Sequence, residues 1–238
     1  MKRREFLTSV VALGVATTMP GAKAEVVNGG QPWQPGKVST PPSPPRQGGL
    51  QYFTQHEFAT VGVIAEHFIP ADENSLSGKE AGCATFIDRQ LAGDYGRAAA
   101  LYRLGRFVKG TPEQGPQSPL TPAERYRQGL SALDAATQKQ YGKNFIDLAA
   151  DQQENILHAM EADKFDLGKD VETKVFFELL LQNVREGFLA DPIYGGNKDM
   201  TSWKMIGFPG ARYDFRDLLS KKGQKLNIIP TSLIDNTL

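Results

Sequence analysis

The fold class of this 238-residue chain is decided by the stretch Asp170–Phe188, which reads DVETKVFFELLLQNVREGF. Its apolar side chains recur at steps of three and four residues, the spacing that places them on one face of an α-helix. They are Val171, Val175, Phe176, Leu179, Leu180, Val184 and Phe188. We expect the longest and most apolar helix of the chain here, capped by Asp170 and ended by Ala190-Asp191-Pro192.

Further helical patterns precede this stretch. Two of them open with a threonine and a glutamate three residues apart, the arrangement of a capping box, at Thr54 and at Thr121. The predicted helices span Thr54–Phe68, Ala81–Leu91, Tyr95–Val108 with a break at Gly105, Thr121–Gln140 and Asp151–Glu161. Alternation with a period of two is nearly absent, and the only candidate strand is Leu226–Ile229. The sequence therefore predicts a mostly α fold, a single-domain helical bundle over residues 50–238 with long loops rich in Gly, Pro and aromatic residues.

Residues 1–24 have the layout of an export signal. Basic residues precede a weakly apolar run of about 13 residues, which is shorter than the roughly 20 residues needed to span a bilayer as a helix. Two adjacent arginines, a spacer and two apolar residues form a twin-arginine pattern, and two alanines flank Lys23 as in a cleavage site. These residues are Arg3, Arg4, Phe6, Leu7, Ala22 and Ala24. We expect a twin-arginine signal peptide; the alternative is an ordinary secretory signal that happens to contain Arg-Arg.

Residues 25–49 form a predicted extended arm between the signal and the helical domain. They contain six of the 15 prolines, and proline-rich sequence favours polyproline II over helix or sheet. Trp33 is the one aromatic side chain of this arm. Docking on a partner and free exposure both remain open for it.

The charge balance excludes one class of partner. Lysine and arginine together number 27, as do aspartate and glutamate, so the formal net charge is zero. A nucleic-acid-binding surface needs a clear basic excess, so we expect no nucleic-acid partner. Residues 1–24 hold four basic residues and one acidic residue, which leaves 23 and 26 in residues 25–238 and a net charge of −3 there.

The residues that could carry chemistry form no recognisable catalytic or metal-binding motif. Cys83 is the one cysteine, so an internal disulfide and a multi-cysteine metal site are excluded, and its small and apolar neighbours favour a buried thiol. His56 and His67 are about 16 Å apart along a helix, too far to share a metal ion. We expect solvent-exposed charges at Asp88-Arg89 and Arg185-Glu186. We predict no catalytic residue, metal site or cofactor site in this chain.

The stretch 191–210 combines many glycines and prolines with a large aromatic and apolar content. Gly195-Gly196-Asn197 lacks the pattern of a phosphate-binding loop, so we interpret it as a turn. A long solvent loop rarely carries this much apolar surface, so the stretch packs either on the chain's own helices or on another protein. Because Tyr and Trp are favoured anchors at interfaces, we expect an interface. The candidate interface residues are Asp191, Tyr194, Gly195, Gly196, Asn197, Trp203, Ile206, Gly207, Phe208 and Pro209.

Several short motifs follow one another in a characteristic order between residues 50 and 215. They are Ile69-Pro70-Ala71-Asp72, Ala81-Gly82 with Phe86-Ile87-Asp88, Gly110–Gly115, Leu120–Arg127, Glu186-Gly187-Phe188, Asp191–Asn197, and Trp203 followed by Ile206–Gly210. In this combination the chain resembles subunit 3, the small subunit of gluconate 2-dehydrogenase and of its sugar-dehydrogenase relatives. The arm 25–49 and the residues after Asp217 lie outside the resemblance.

The resemblance implies an accessory role without catalysis by this chain. In such complexes a large FAD-dependent subunit of the glucose–methanol–choline oxidoreductase type oxidises the sugar or sugar acid. A multihaem cytochrome c subunit commonly passes the electrons to the membrane quinone pool. The small subunit supports maturation of the flavoprotein and supplies the signal that exports both through the twin-arginine translocase. FAD and haem c are thus expected in partners, and the complex is expected at the membrane in the periplasm.

A second hypothesis from a different class is a free-standing periplasmic helical enzyme or ligand-binding domain. A ligand bound stoichiometrically by the lone protein would favour it. Under the first hypothesis the substrate pocket belongs to the partner, so gluconate, sorbitol, fructose and glucose all remain open as substrates of the complex.

Overall fold

The computed structural model describes residues 49–234 apart from 109, 112, 113, 116, 213, 225 and 227, and the predicted signal and nearly all of the predicted arm lie outside them. Six α-helices occur in the described part: α1 (Gln55–Phe68), α2 (Cys83–Ala92), α3 (Pro122–Tyr141), α4 (Ala150–Glu161), α5 (Thr173–Leu189) and α6 (Thr201–Ile206). Short 3₁₀ turns lie at Phe145–Asp147, Pro192–Tyr194, Lys198–Met200 and Arg216–Lys221. The predicted mostly helical fold is confirmed.

The two predicted capping boxes are present. The Thr54 hydroxyl accepts a hydrogen bond from the backbone N–H of Glu57 at 3.2 Å, and the Glu57 carboxylate accepts from the N–H of Thr54 at 2.8 Å. Thr121 and Glu124 repeat this exchange at the start of α3. Each exchange satisfies two donors that a helix start leaves unpaired, which is why these two starts follow from sequence alone.

The helix α5 is the centre of the core, because it contacts each of the other five α-helices. Its buried face carries the apolar residues of the stretch that predicted it, among them Phe176, Leu180, Val184 and Phe188. Leu180 and Val184 are fully buried. Each such aliphatic side chain contributes about 1.5–3 kcal/mol of hydrophobic stabilisation when fully buried.

The first residue of α5 and its length relative to the other described helices differ from the prediction. Asp170 is not its cap: the helix begins at Thr173, Glu172 holds the cap position, and no side chain caps it. The residues before it form a turn in which the N–H of Val171 donates to the carbonyl of Gly168 and the Thr173 hydroxyl accepts from Leu167. The longest helix is α3, with 20 residues against 17 in α5.

Two predicted elements do not form. Residues 95–108 form turns, bends and irregular backbone instead of a helix. Gly96 lies so close to α2 that a Cβ there would sit 1.8 Å from the carbonyl oxygen of Leu91, and its own carbonyl accepts from the N–H of Ala123 at 3.2 Å. With these contacts in place, the backbone does not form the hydrogen bonds of a helix. The described residues of the candidate strand 226–229 form no strand, and an isolated bridge joins Gly210 to Thr231.

The prediction of a solvent-exposed Asp88 is also wrong. Asp88 is buried on α2, where its carboxylate accepts three backbone N–H groups, from Gln51 at 2.7 Å, Tyr52 at 3.0 Å and Phe53 at 2.8 Å. Three charge-assisted hydrogen bonds compensate a buried carboxylate for its lost hydration. Asp88 therefore fixes the segment that leads into α1. Arg185 and Glu186 are exposed, as predicted.

None of the helices in the described ranges combines the length and the hydrophobicity that crossing a membrane requires.

Candidate partner-binding surface

The stretch 191–210, which we call the aromatic tract, is not the single long loop that the sequence predicts. It contains two 3₁₀ turns and the short helix α6, joined by glycines and by Asn197. Three of its non-glycine residues adopt positive φ angles, namely Asn197, Asp199 and Met200. Such a strained backbone persists only where surrounding contacts fix it.

The side chain of Asn197 makes the buried hydrogen bonds that hold the aromatic tract in place. This side chain is fully buried. Its Nδ2 donates to the carbonyl of Ala190 at 2.9 Å, and its Oδ1 accepts from both the N–H and the hydroxyl of Ser202, at 3.0 and 2.8 Å. The following N–H, of Lys198, donates to the carbonyl of Ala81. Asn197 and Lys198 together thus join the end of α5, the start of α6 and the approach to α2.

Glycines let the tract lie directly against two helices. A Cβ at Gly196 would lie 2.0 Å from the carbonyl oxygen of Gly187 on α5, so no other residue fits there without moving the backbone. Gly82, just before α2, has a φ of 83°, and a Cβ on it would lie 2.8 Å from the carbonyl oxygen of Gly195. The predicted turn at Gly195-Gly196-Asn197 is therefore a site of close backbone packing.

Asp191 fixes the entry to the tract and a later segment of the chain together. Its Oδ1 accepts from the N–H of Ile193 at 2.9 Å, which caps the first 3₁₀ turn. The same carboxylate accepts from the Ser232 hydroxyl at 2.7 Å and from the N–H of Leu233 at 2.9 Å. Nearby, the N–H of Thr231 donates to the carbonyl of Pro209 at 3.2 Å. Residues 231–233 thus hold both ends of the aromatic tract.

Trp203 packs inside the domain. Its side chain is 5% exposed, and its indole N–H donates to the carbonyl of Leu189, at the end of α5, at 2.8 Å. The ring makes an edge-to-face contact with Phe208, with centroids 5.1 Å apart. Such a pair adds stability beyond the area that it buries. Trp203 therefore packs on the chain's own helices.

Three other candidates are exposed. Tyr194 is 50% exposed, Ile206 56% and Phe208 43%, and two further apolar residues with similar exposure, Leu189 and Met205, lie beside them in the sequence. Gly207 ends α6 with a φ of 72°. Half-exposed aromatic and apolar side chains on a backbone fixed by buried hydrogen bonds are suited to binding a partner without prior ordering.

An open groove of about 970 Å³ adjoins the exposed residues, between α2 and α5. Its apolar walls are Phe86, Leu181, Leu189, Ala190 and Tyr194. The polar residues that also line it are Gln90, Glu178, Gln182, Arg185 and Glu186. The sequence prediction missed the helix residues of this groove. The only sequence signal for the groove was the presence of two apolar residues, Leu181 and Leu189, outside the apolar face that predicted α5.

The predicted interface residues therefore divide into two groups. The first builds the tract from within and comprises Asp191, Gly195, Gly196, Asn197 and Trp203. The second has side chains exposed to solvent and comprises Tyr194, Ile206 and Phe208. Gly207 and Pro209 connect the two groups. Arg3, Arg4, Phe6, Leu7, Ala22 and Ala24, predicted for export, lie outside the described residues.

The titratable residues singled out in the sequence have structural partners. Burial raises the pKa of the Cys83 thiol to about 12, so this cysteine is a poor nucleophile near neutral pH. His56 contacts the Asp134 carboxylate at 2.6 Å, and His67 contacts the side chain of Gln153 at 3.0 Å. Within the described ranges, no group of three or more His, Cys, Asp or Glu side chains could hold a metal ion.

The fold and this surface together define an all-helical domain with exposed apolar side chains on a backbone that buried hydrogen bonds fix. The model of the gluconate 2-dehydrogenase subunit 3 family matches residues 55–210, which are 156 of the 238 residues. The chain belongs to this family. The match begins at the first residue of α1 and ends with the aromatic tract. Comparisons with curated proteins and with solved structures give no significant match.

Proposed function

We propose that this chain is the non-catalytic small subunit of a periplasmic FAD-dependent gluconate or sugar dehydrogenase complex. In this role it supports maturation of the flavoprotein subunit and takes it, as a folded pair, through the twin-arginine translocase. FAD lies in that partner, of the glucose–methanol–choline type, and haem c in a cytochrome subunit that passes the electrons to the membrane quinone pool. Membership of the subunit 3 family and the Arg3-Arg4 pattern support this proposal.

The observation that carries the proposal is the apolar surface at Tyr194, Ile206 and Phe208 beside the groove. It lies within the residues that match the family, and its backbone is tied by Asn197 and by close glycine packing. A surface fixed in advance costs little ordering on association, so its aromatic side chains are good anchors.

We expect Tyr194→Ala and Phe208→Ala each to weaken the complex with the co-expressed flavoprotein by about 2 kcal/mol, because anchoring aromatic residues dominate interface energies. Pull-down followed by titration calorimetry measures this change. Tyr141→Ala is the matched control, since Tyr141 is partly exposed at the end of α3. If all three variants bound the flavoprotein equally well, the surface would not be the interface.

The export role is tested with Arg3→Lys combined with Arg4→Lys. Because the translocase recognises the arginine pair, this change should leave both the chain and the flavoprotein in the cytoplasm. Cell fractionation and immunoblotting measure the distribution, and Lys23→Arg is the conservative control. Normal export of the flavoprotein with the double variant would contradict the carrier role.

The rival function, a free-standing periplasmic helical enzyme or ligand-binding domain, makes opposite predictions for the lone chain. Under our proposal the purified chain shows no flavin absorbance and no dye-linked sugar oxidation. A stoichiometric small-molecule ligand in the groove between α2 and α5 would favour the rival instead.

A further inference from the structure

A second exposed apolar region lies far from the aromatic tract in sequence. Residues 95–108, which we call the basic segment, carry large apolar side chains that the domain leaves uncovered. Leu104 is 89% exposed and Tyr102 82%, which makes them two of the most exposed large apolar residues in the described part of the chain. The others in the segment are Tyr95, Leu101, Phe107 and Val108. Soluble domains seldom expose such a cluster unless it contacts another surface.

The charge of this stretch has one sign. Residues 95–108 read YGRAAALYRLGRFV, with three arginines and no acidic residue. Because residues 25–238 carry a net charge of −3, the segment concentrates three positive charges on a chain that is otherwise acidic. One of them, Arg97, is paired with the Asp94 carboxylate just before the segment. The cations alternate with apolar side chains along the sequence, so both kinds of group are available to one surface.

The segment is anchored at its start and near its middle. At its start, the Tyr95 hydroxyl donates to the buried Asn183 at 3.1 Å, and the carbonyl of Gly96 accepts from Ala123. Near its middle, the Arg103 guanidinium donates to the carbonyl of Pro119. Residues 104–108 are all exposed. The helical body therefore holds the base of the segment and leaves its apolar and basic tip in solvent.

We propose that the basic segment docks on the surface of an anionic phospholipid bilayer. Leu101, Tyr102 and Leu104 enter the boundary between headgroups and acyl chains, while Arg106 meets the lipid phosphates. Apolar residues interleaved with cations suit this boundary, and each Lys or Arg near an anionic bilayer strengthens binding about fivefold. Arg and aromatic residues are also enriched at protein interfaces, so a protein partner is the alternative that the last experimental outcome below distinguishes.

This contact is independent of the proposed function, in which the chain is associated with the membrane through the complex. It requires only the residues of the segment and a negatively charged lipid surface. Failure of the vesicle experiments below would therefore leave the proposed function untouched, and failure of the export experiment would leave this contact untouched.

The test places a reporter at the tip of the segment in the full chain. The fluorescence of the Tyr102→Trp variant, with the signal of the parent chain subtracted, is followed during titration with vesicles of phosphatidylglycerol and phosphatidylcholine. We expect a blue shift, quenching by brominated acyl chains and reversal by high salt. Leu219→Trp, at an exposed apolar position outside the segment, is the control and should show none of these changes.

The charge contribution is measured on the same reporter. Arg106→Glu changes two units of charge and should weaken the titration about 30-fold, at about fivefold per unit. Lys143→Glu, on an exposed lysine after α3, should weaken it by less than about threefold. Thermal unfolding of each variant shows whether the domain remains folded.

Three outcomes would overturn the proposal. One is the absence of any fluorescence change in the Tyr102→Trp variant with anionic vesicles, and another is an equal change with phosphatidylcholine alone or in the Leu219→Trp control. The third is a change in the Tyr102→Trp variant that appears only when the flavoprotein is co-expressed, which would assign the segment to a protein contact.

Discussion

The aromatic tract and the basic segment are similar in composition, yet the tract packs into the domain and most of the basic segment is exposed. Each follows a core helix, α5 or α2, and each mixes glycine with aromatic residues. The tract contains Asp191 and Asn197, whose side chains tie its backbone to the helices. The basic segment contains no Asp, Asn, Ser or Thr, so its contacts are confined to its base. Short polar side chains therefore decide whether an apolar loop becomes part of the domain.

The largest expected difference between the two regions concerns their aromatic residues. Trp203→Ala should lower the free energy of unfolding by about 3–5 kcal/mol, because it empties a buried site and leaves the Leu189 carbonyl without its donor. Tyr102→Ala should change it by less than about 0.5 kcal/mol, because the side chain is mostly in solvent. Urea unfolding of the two variants measures both values. Similar losses would show that the basic segment is as deeply integrated as the tract.

A smaller contrast is expected between two glycines. Gly196→Ala should cost about 3 kcal/mol, since the added Cβ would meet the backbone oxygen of Gly187, which cannot rotate away. Gly105→Ala, in the basic segment, should be nearly neutral, because the nearest atom to its Cβ is in the Tyr102 side chain at 3.8 Å. Thermal unfolding gives the comparison. A Gly105→Ala loss as large as that of Gly196→Ala would break the distinction between the regions.

Helices with local signals could be predicted from the sequence, and features set by distant contacts could not. The starts of α1 and α3 follow from capping pairs within four residues, at Thr54 and Thr121. The buried role of Asp88 depends on N–H groups 35 to 37 residues away. The non-helical path of the basic segment depends on the hydrogen bond from the N–H of Ala123, 27 residues away, to the carbonyl of Gly96. In both cases, the local pattern predicted an exposed charge or a helix.

The candidate surface was predictable as a region and not as individual side chains. Its composition identified the tract, because so many aromatic residues in a Gly- and Pro-rich stretch must pack on something. Which of its aromatic side chains are buried depends on contacts with the end of α5. The Leu189 carbonyl accepts a hydrogen bond from the indole N–H of Trp203, which is buried, whereas Tyr194 is half exposed.

The Asp191 carboxylate also sets the order in which this surface can be completed during synthesis. Its partners Ser232 and Leu233 lie 41 and 42 residues further along the chain. At about 5–20 residues per second, a ribosome needs about 2–8 s to travel that distance. For those seconds the entry to the aromatic tract lacks two of its hydrogen bonds, although every residue that matches the family has been made before Ser232. Any partner that recognises the surface with these two hydrogen bonds in place can therefore bind only after Ser232 and Leu233 have been made.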